Sequence, residues 1–383
     1  MEYTIDPQKF YHDPYPDLAT IQSMAPVVYV PQLGAALMTR RSDIFKQEKR
    51  VDLFSSSQPD GLMVQLMGEN LMRKDGVEHQ EARRKIFPSL SPRTVMQVWR
   101  SEFERSTRAV IEGLKKKQVF DLVRDFAMPV SGAALVAITG LRQMTPVQMD
   151  QVSQAMIDGC SNYLDTPSVT QACGVATADI DAHIALMVPE LTDKPDTSVL
   201  SVLIQAGQSL INIQANIKLV ISGGQNEPRD AIAGTAAALL MHRNALDKVL
   251  HSADWGQAFM EYARWMSPIG MSPRRISQDC NVLGYDFKKN DKVFFMFGAA
   301  NRDPAVFATP EAYDIDRDTG PAIPFGSGPH FCAGAAVSRV LIAEVALPQL
   351  FKAFPDLELV DQVKWGGWAF RGPLSVRVSR VPS

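Results

Sequence analysis

Pro324-Phe-Gly-Ser-Gly-Pro-His-Phe-Cys-Ala-Gly-Ala-Ala-Val-Ser-Arg339 contains one cysteine, Cys332, at an abrupt change of local character. Ahead of it, Gly326, Gly328 and Pro329 disfavour helix and favour a tight loop with positive-φ positions. Behind it, Ala333, Ala335, Ala336, Val340, Leu341, Ala343, Val345, Ala346 and Leu347 recur at helical spacing. They predict a helix that begins at once and continues to about Phe351. The cysteine is therefore expected at a loop-to-helix junction, where unpaired N–H groups and a partial positive charge stabilise a thiolate. Gly334 has no side chain to hold a flat partner away, and Phe325 is placed to shield the sulfur, so a large planar cofactor suits the setting. A buried structural cysteine beside a glycine-rich turn is the plainer alternative.

At 383 residues the chain exceeds a usual domain, so two domains or one large ligand-centred helical domain are the choices. A hydrophobic fraction of 46% with 21% charged residues describes a soluble globular protein with a sizeable core. The net charge of -3 gives no reason to expect nucleic-acid binding. Cys160, Cys173, Cys280 and Cys332 form no CxxC pair, which argues against a disulfide framework or a structural zinc site and for a reducing, cytoplasmic setting. The acidic N-terminus lacks the charged and apolar regions of a signal peptide, and no uninterrupted run of about 18 apolar residues suggests a membrane anchor.

Along the chain, Asp13-Pro-Tyr-Pro16 opens a short helix, and residues 27–30 and 35–38, joined through Leu33-Gly34, read as a β-hairpin. Residues 55–74 read as a methionine-rich loop, methionine being a side chain that adapts its shape to a ligand. His79 and Arg83 are four apart on one helix face, by itself more often a solvated face than a site. Helices are expected over residues 96–117 and 119–138 and from Thr145 to Ile184, with a break near Asp165. Residues 198–250 are almost wholly helical, yet contain Gly223, Gly224 and Pro228. Each Gly costs roughly 1 kcal/mol and Pro roughly 3 in a helix interior. Pro228 cannot donate to the Gly224 carbonyl and crowds it, so the helix should open there into a small-ligand groove. Glu261 and Arg264, three apart, are a weak signal alone. Trp365, Trp368 and Phe370 place three aromatics on a turn that suits a pocket wall.

Phe325-Gly326-x-Gly328-x-His330-x-Cys332-x-Gly334 resembles the haem-binding loop of the cytochrome P-450 monooxygenases, and the resemblance extends from Asp13 to Val378. It implies a single mainly α domain with a small β region (roughly residues 25–40, 274–300 and 360–380). It also implies haem b held between the long central helix and the helix after the cysteine loop. The implied iron ligand is the Cys332 thiolate, with His79, Arg83, Arg274 and His330 on the propionates and Arg275 as a substitute for Arg274. Phe325 and Gly334 complete the haem contact. Glu261 and Arg264 stand where the family has a buried pair, and residues 145–184 resemble its mobile lid. Dioxygen is the oxidant, a small organic molecule the substrate, and electrons come from a separate ferredoxin or flavodoxin and its reductase.

Relatives carry Ala-Gly-x-acid-Thr in the central helix, whereas this chain has Gly223-Gly224-Gln225-Asn226-Glu227. The acid position holds an amide and the alcohol position a carboxylate, which makes Glu227 and Asn226 the candidate proton-handling residues. This segment, Trp265-x-Ser-Pro-Ile269 and the tail with Phe370 before Arg371-Gly-Pro resemble bacterial members that O-demethylate small methoxy-aromatics such as guaiacol and syringol. That resemblance implies a pocket lined by Gly223, Gly224, Ile269 and Phe370. Hydroxylation of a terpenoid, fatty acid or macrolide is the alternative within enzymes. A haem-binding sensor without turnover is the alternative outside them.

Overall fold

The computed structural model describes residues 1–162 and 165–380 and divides the chain into two compact units. One comprises residues 58–232, 333–358 and the chain from Val378 onward, and is helical for most of its length. The other comprises residues 1–57, 233–332 and 359–377 and contains most of the strands.

In the helical unit we label α1 (Gly76–Leu90), α2 (Met128–Thr139), α3 (Pro146–Cys160), α4 (Pro167–Asp193), α5 (Leu210–Ser222) and α6 (Asn226–Met241, whose second half belongs to the other unit). The α3 start is encoded locally. Thr145 and Gln148 form a reciprocal capping box, and Pro146 occupies a position where a missing N–H costs nothing.

Three expectations need correction. Residues 119–121 form a strand before the helix, which starts only at Leu122, where Asp121 accepts from the Val123 and Arg124 amides. The methionine-rich stretch is not loop throughout, since Leu62–Met67 is a helical segment and Leu71–Arg73 a 3-10 turn capped by Asn70. The helix after Cys332 begins at Ala335, with Gly334 as its N-cap, and runs continuously through residues 335–353.

The mixed unit contains β1 (Val27–Val30), β2 (Ala35–Met38), β3 (Phe54–Ser55), β4 (Ser272–Ile276), β5 (Cys280–Val282), β6 (Tyr285–Phe287), β7 (Lys292–Phe295), β8 (Lys364–Gly366) and β9 (Gly372–Ser375), with helix α7 (Trp255–Met266). Its main sheet has the order β1-β2-β7-β4-β3. The β1–β2 hairpin pairs Val27 with Met38 and turns through Gly34 at φ 58°. The sheet packs into a core where Phe54 meets Phe287 and Phe295 at ring separations of 6.1 and 5.4 Å.

Strands β8 and β9 form an antiparallel pair, so of the three tail aromatics Trp368 and Phe370 stand on the connecting turn while Trp365 lies within β8, opposite Pro373. Their destinations differ. Trp368 packs near Phe10 and Phe294, and Trp365 near Tyr262 and Trp265, so both tryptophans, partly buried, lean on aromatic neighbours of the unit's interior. Phe370 alone remains as the tail's candidate for a pocket. Gly367 makes the turn, with φ 88° and a built Cβ only 1.7 Å from the Phe370 carbonyl oxygen. Gly367→Ala should therefore lose about 1–2 kcal/mol to backbone strain alone and more to the overlap, lowering the thermal midpoint. An unchanged melting curve would contradict this account of the turn.

Candidate active site

The loop ahead of Cys332 is closed by its own backbone. The Cys332 amide donates to the Phe325 carbonyl at 2.9 Å, Phe331 to Gly328 at 3.0 Å and Gly326 to Ile323 at 3.1 Å. Gly326 has φ 77°, and a Cβ on Gly328 would lie 2.5 Å from the Glu48 carbonyl oxygen, so both glycines are required by geometry. Phe325 is wedged between Phe259 and Phe331, with centroids 6.2 and 6.4 Å away.

Glu48, which nothing in its sequence neighbourhood singles out, anchors this loop. Its carboxylate is buried and accepts from both the amide and the hydroxyl of Ser327 at 2.7 Å, while its other oxygen lies 3.5 Å from Nη2 of Arg274. Arg274 is itself buried and also donates to Ser272 Oγ and the Pro273 carbonyl. Its neighbour Arg275 instead donates to Asn290 on the exposed side. Of the two arginines, Arg274 is the one joined to the cysteine loop.

Glu261 and Arg264 form a buried bidentate pair at 2.7 Å. The remaining Arg264 donors reach the carbonyls of Asn301, Pro310 and Ala312 at 2.8–3.1 Å. Ile269 and Phe370 come together as an antiparallel backbone bridge, flanked by hydrogen bonds from Gly270 to Ala369 and from Arg371 to Pro268. A Cβ on Gly270 would lie 2.0 Å from the Trp368 carbonyl oxygen, so the two segments approach as closely as backbones allow.

In the helical unit, His79 and Arg83 share one face of α1, the imidazole buried and the guanidinium partly covered. The central helix opens, as expected, although the opening lies upstream of the proline. Residues 223–225 stand outside both α5 and α6, and Pro228 falls in the first turn of α6, where its missing donor is least costly. A side chain at Gly224 would sit 2.5 Å from the Val220 carbonyl oxygen, which explains a glycine there.

Polar residues around the opening face α3. Gln225 Nε2 donates to Asp150 at 3.0 Å, and Asn226 donates to Gln154 at 2.9 Å while accepting from Ser153 at 3.1 Å. Both ends of the Asn226 amide are thus engaged. Arg229 binds Asp150 and Asp230 at 2.9 and 2.8 Å, so it does not pair with Glu227. Glu227 as a residue is partly covered, but both carboxylate oxygens are shut off from solvent and accept no hydrogen bond from another described residue. Burial, helped by the like charge of Asp230, pushes this carboxyl up to about 8 against the pull of its own amide and of Arg229. Thr235 lies two turns further on with a buried hydroxyl.

Burial also raises the thiols of Cys160, to about 12, and of Cys173 and Cys280, which makes them poor thiolate sources. A sulfur on a glycine-cleared loop, with a buried guanidinium joined to that loop, suits an iron porphyrin that carries carboxylates.

Comparisons with known proteins agree. The family model for cytochrome P450 matches residues 257–363. The polyketide biosynthesis cytochrome P450 PksS of Bacillus subtilis is 25% identical, with 97% of each chain covered. The epothilone C/D epoxidase of Sorangium cellulosum is 26% identical over 98% of this chain and 94% of its own. The crystal structure of P450BioI in complex with a hexadec-9Z-enoic acid ligated acyl carrier protein superposes with a TM-score of 0.89, at 20% identity, covering 97% of this chain and 100% of that one. A mainly helical chain with a cysteine on such a loop defines a haem-thiolate protein. The chain has the cytochrome P450 fold and is similar to cytochromes P450 over nearly its whole length, and it is a monooxygenase that binds haem through a cysteine thiolate.

Two measurements test the site. Cys332→Ser should abolish the red-shifted Soret band that thiolate ligation gives the ferrous-carbonyl form, whereas Cys160→Ser should retain it. Glu227→Gln should reveal the burial of the carboxyl through stability. The folded-state pKa of about 8 lies above the reference 4.5, so the stability owed to a neutral Glu227 is fully present below about 4.5 and lost as pH rises through about 8. The variant, uncharged throughout, should therefore gain on wild type across that window, by at most about 1.4 kcal/mol per pH unit. Parallel stability curves would show that the carboxyl is solvated.

Proposed function

We propose that this monooxygenase removes the methyl group of a small methoxy-aromatic. The overall change is Ar–O–CH₃ + O₂ + 2 e⁻ + 2 H⁺ → Ar–OH + HCHO + H₂O. Oxidation of the methyl carbon gives a hemiacetal, which collapses to the phenol and formaldehyde. The observation that carries the reading is the rigid apolar corner at Ile269 and Phe370, locked by backbone hydrogen bonds on both sides. A flat aromatic ether fits such a corner, with Phe370 against its ring or methyl group. The resemblance of the segment at residues 223–228 and of the tail to O-demethylating members supports the same substrate class.

Haem, when bound, supplies dioxygen activation, and the thiolate of Cys332 donates the electron density that favours O–O cleavage. Arg274, joined to the cysteine loop through Glu48, and His330 within that loop would hold haem carboxylates through charge-assisted hydrogen bonds. Phe325 keeps water from the sulfur, and Gly334 lets the flat group approach. Gly223 and Gly224 leave open backbone beside the groove. Glu227, held neutral near neutral pH, gives and regains a proton and so replaces both acid and alcohol. Electrons arrive from a separate ferredoxin or flavodoxin, and the protein works in the cytoplasm.

The second reading is oxidation of a bulkier molecule. PksS and the epothilone epoxidase are named for polyketide biosynthesis and for an epothilone, which favours a macrolide-sized substrate. Soret titration separates the two. Methoxyphenols should bind more tightly than fatty acids or macrolides and yield formaldehyde in proportion to electrons consumed. Glu227→Gln should lower that yield and raise wasted peroxide. Tighter binding of every large ligand than of any methoxyphenol would transfer the assignment to the second reading.

A further inference from the structure

Three polar side chains of α3 lie on one face of that helix at positions i, i+3 and i+4, namely Asp150, Ser153 and Gln154. All three reach the opening of the central helix. Ser153 Oγ lies 3.2 Å from the carbonyl of Ile221, near the end of α5, and donates to Asn226 Oδ1 at 3.1 Å. Gln154 takes the other end of the same amide at 2.9 Å. Asp150 receives Gln225 at 3.0 Å and Arg229 at 2.9 Å through one oxygen. Ser153 and Asn226 are buried, so these bonds form away from water, where a lost partner costs most.

The clamp fixes the rotation of α6. Successive side chains leave a helix about 100° apart, so pinning Asn226 to α3 sets the direction in which Glu227 departs. The charged groups that face Glu227 are Arg229 and Asp230 on α6 and, from α3, Asp150, which acts through Arg229. From α2, the neutral Ser131 donates its hydroxyl to the Gln225 carbonyl at 2.9 Å. Asp150 draws Arg229 towards α3, and Asn226 is committed to Ser153 and Gln154. Asn226 is therefore committed elsewhere, and Arg229 acts on Glu227 through its charge without pairing with it.

We propose that Asp150, Ser153 and Gln154 are positioning residues, which hold the opened helix so that Glu227 keeps a carboxyl without a partner. The inference rests on the proton role assigned to Glu227 above. It also gives α3, in the stretch that resembles the family's mobile lid, a direct mechanical connection to the proton-handling residue.

Infrared difference spectroscopy on the haem-loaded enzyme tests it. The C=O stretch of protonated Glu227 is identified as the band lost in Glu227→Gln, and its intensity is followed against pH. In Ser153→Ala/Gln154→Leu, Asn226 is released to donate to Glu227, and the titration midpoint should fall by about one pH unit or more. Asp150→Asn should move it the same way by releasing Arg229. Ser153→Thr, which keeps the hydroxyl, should leave it at the wild-type value and guards against a general loss of structure. Midpoints unchanged in both disruptive variants would overturn the clamp while leaving Glu227 as a proton carrier. Absence of the band from wild type near neutral pH would overturn the role of Glu227 and the clamp with it.

Discussion

Arg264 uses all five of its N–H donors away from solvent, two on Glu261 and three on the carbonyls of Asn301, Pro310 and Ala312. The segment it grips, residues 301–334, has almost no regular secondary structure, yet it delivers Cys332. Such a stretch cannot satisfy its own backbone, and every buried carbonyl left alone costs free energy comparable to a lost hydrogen bond. Side chains from elsewhere therefore do the work of a helix or sheet. Asn301 binds Ser267 and Ile323, Asp303 receives the Arg41 amide, Arg317 reaches Glu261, and Glu48 receives Ser327. Removing one partner of the Glu261–Arg264 pair would strand a charge and several carbonyls at once, which is why such pairs break at several kcal/mol although they form at little net gain.

The central helix obeys the opposite logic. There the backbone is deliberately left incomplete, and the sequence supplies residues that tolerate it. Gly224 has no room for a side chain, Pro228 has no donor to lose, and Ser131 adds a second donor to the carbonyl of Gln225, which also accepts from the Arg229 amide. The opening is displaced upstream of Pro228 because the proline is best accommodated as a first-turn residue of the new helix, so the residues that come free are the glycines before it.

These two regions differ in how far they could be read from the sequence. The cysteine loop is a local signal, since Gly326, Gly328 and Cys332 lie within seven residues and act on one another, and the β1–β2 hairpin is local too. The helix opening was legible for the same reason, through the cost of Gly223, Gly224 and Pro228 in one run. Glu48 was not, because its partner Ser327 is 279 residues away and its own surroundings, Phe45-Lys-Gln-Glu-Lys49, look like a solvated helix. Asp150 and Ser153 were missed likewise, their partners lying more than 70 residues downstream. The aromatic tail misled in part. Composition cannot tell a tryptophan that packs against a core from one that lines a pocket, and Trp365 and Trp368 do the former.

What makes Glu227 useful is the arrangement of the charges that are kept from it. A carboxyl in an apolar setting stays protonated only while no cation is free to pair with it, and Arg229, two residues along, is the obvious threat. Two acids, Asp150 and Asp230, share that guanidinium, and Asp230 adds a like charge that favours the neutral form of Glu227. The acids thus protect a proton on a third acid by occupying the base. With a single acid at Arg229, the cation's pull on Glu227, already felt, would be less offset and would favour its ionised form. The sequence Glu227-Pro-Arg-Asp230 therefore needs a partner from α3 to function, and Asp150 supplies it.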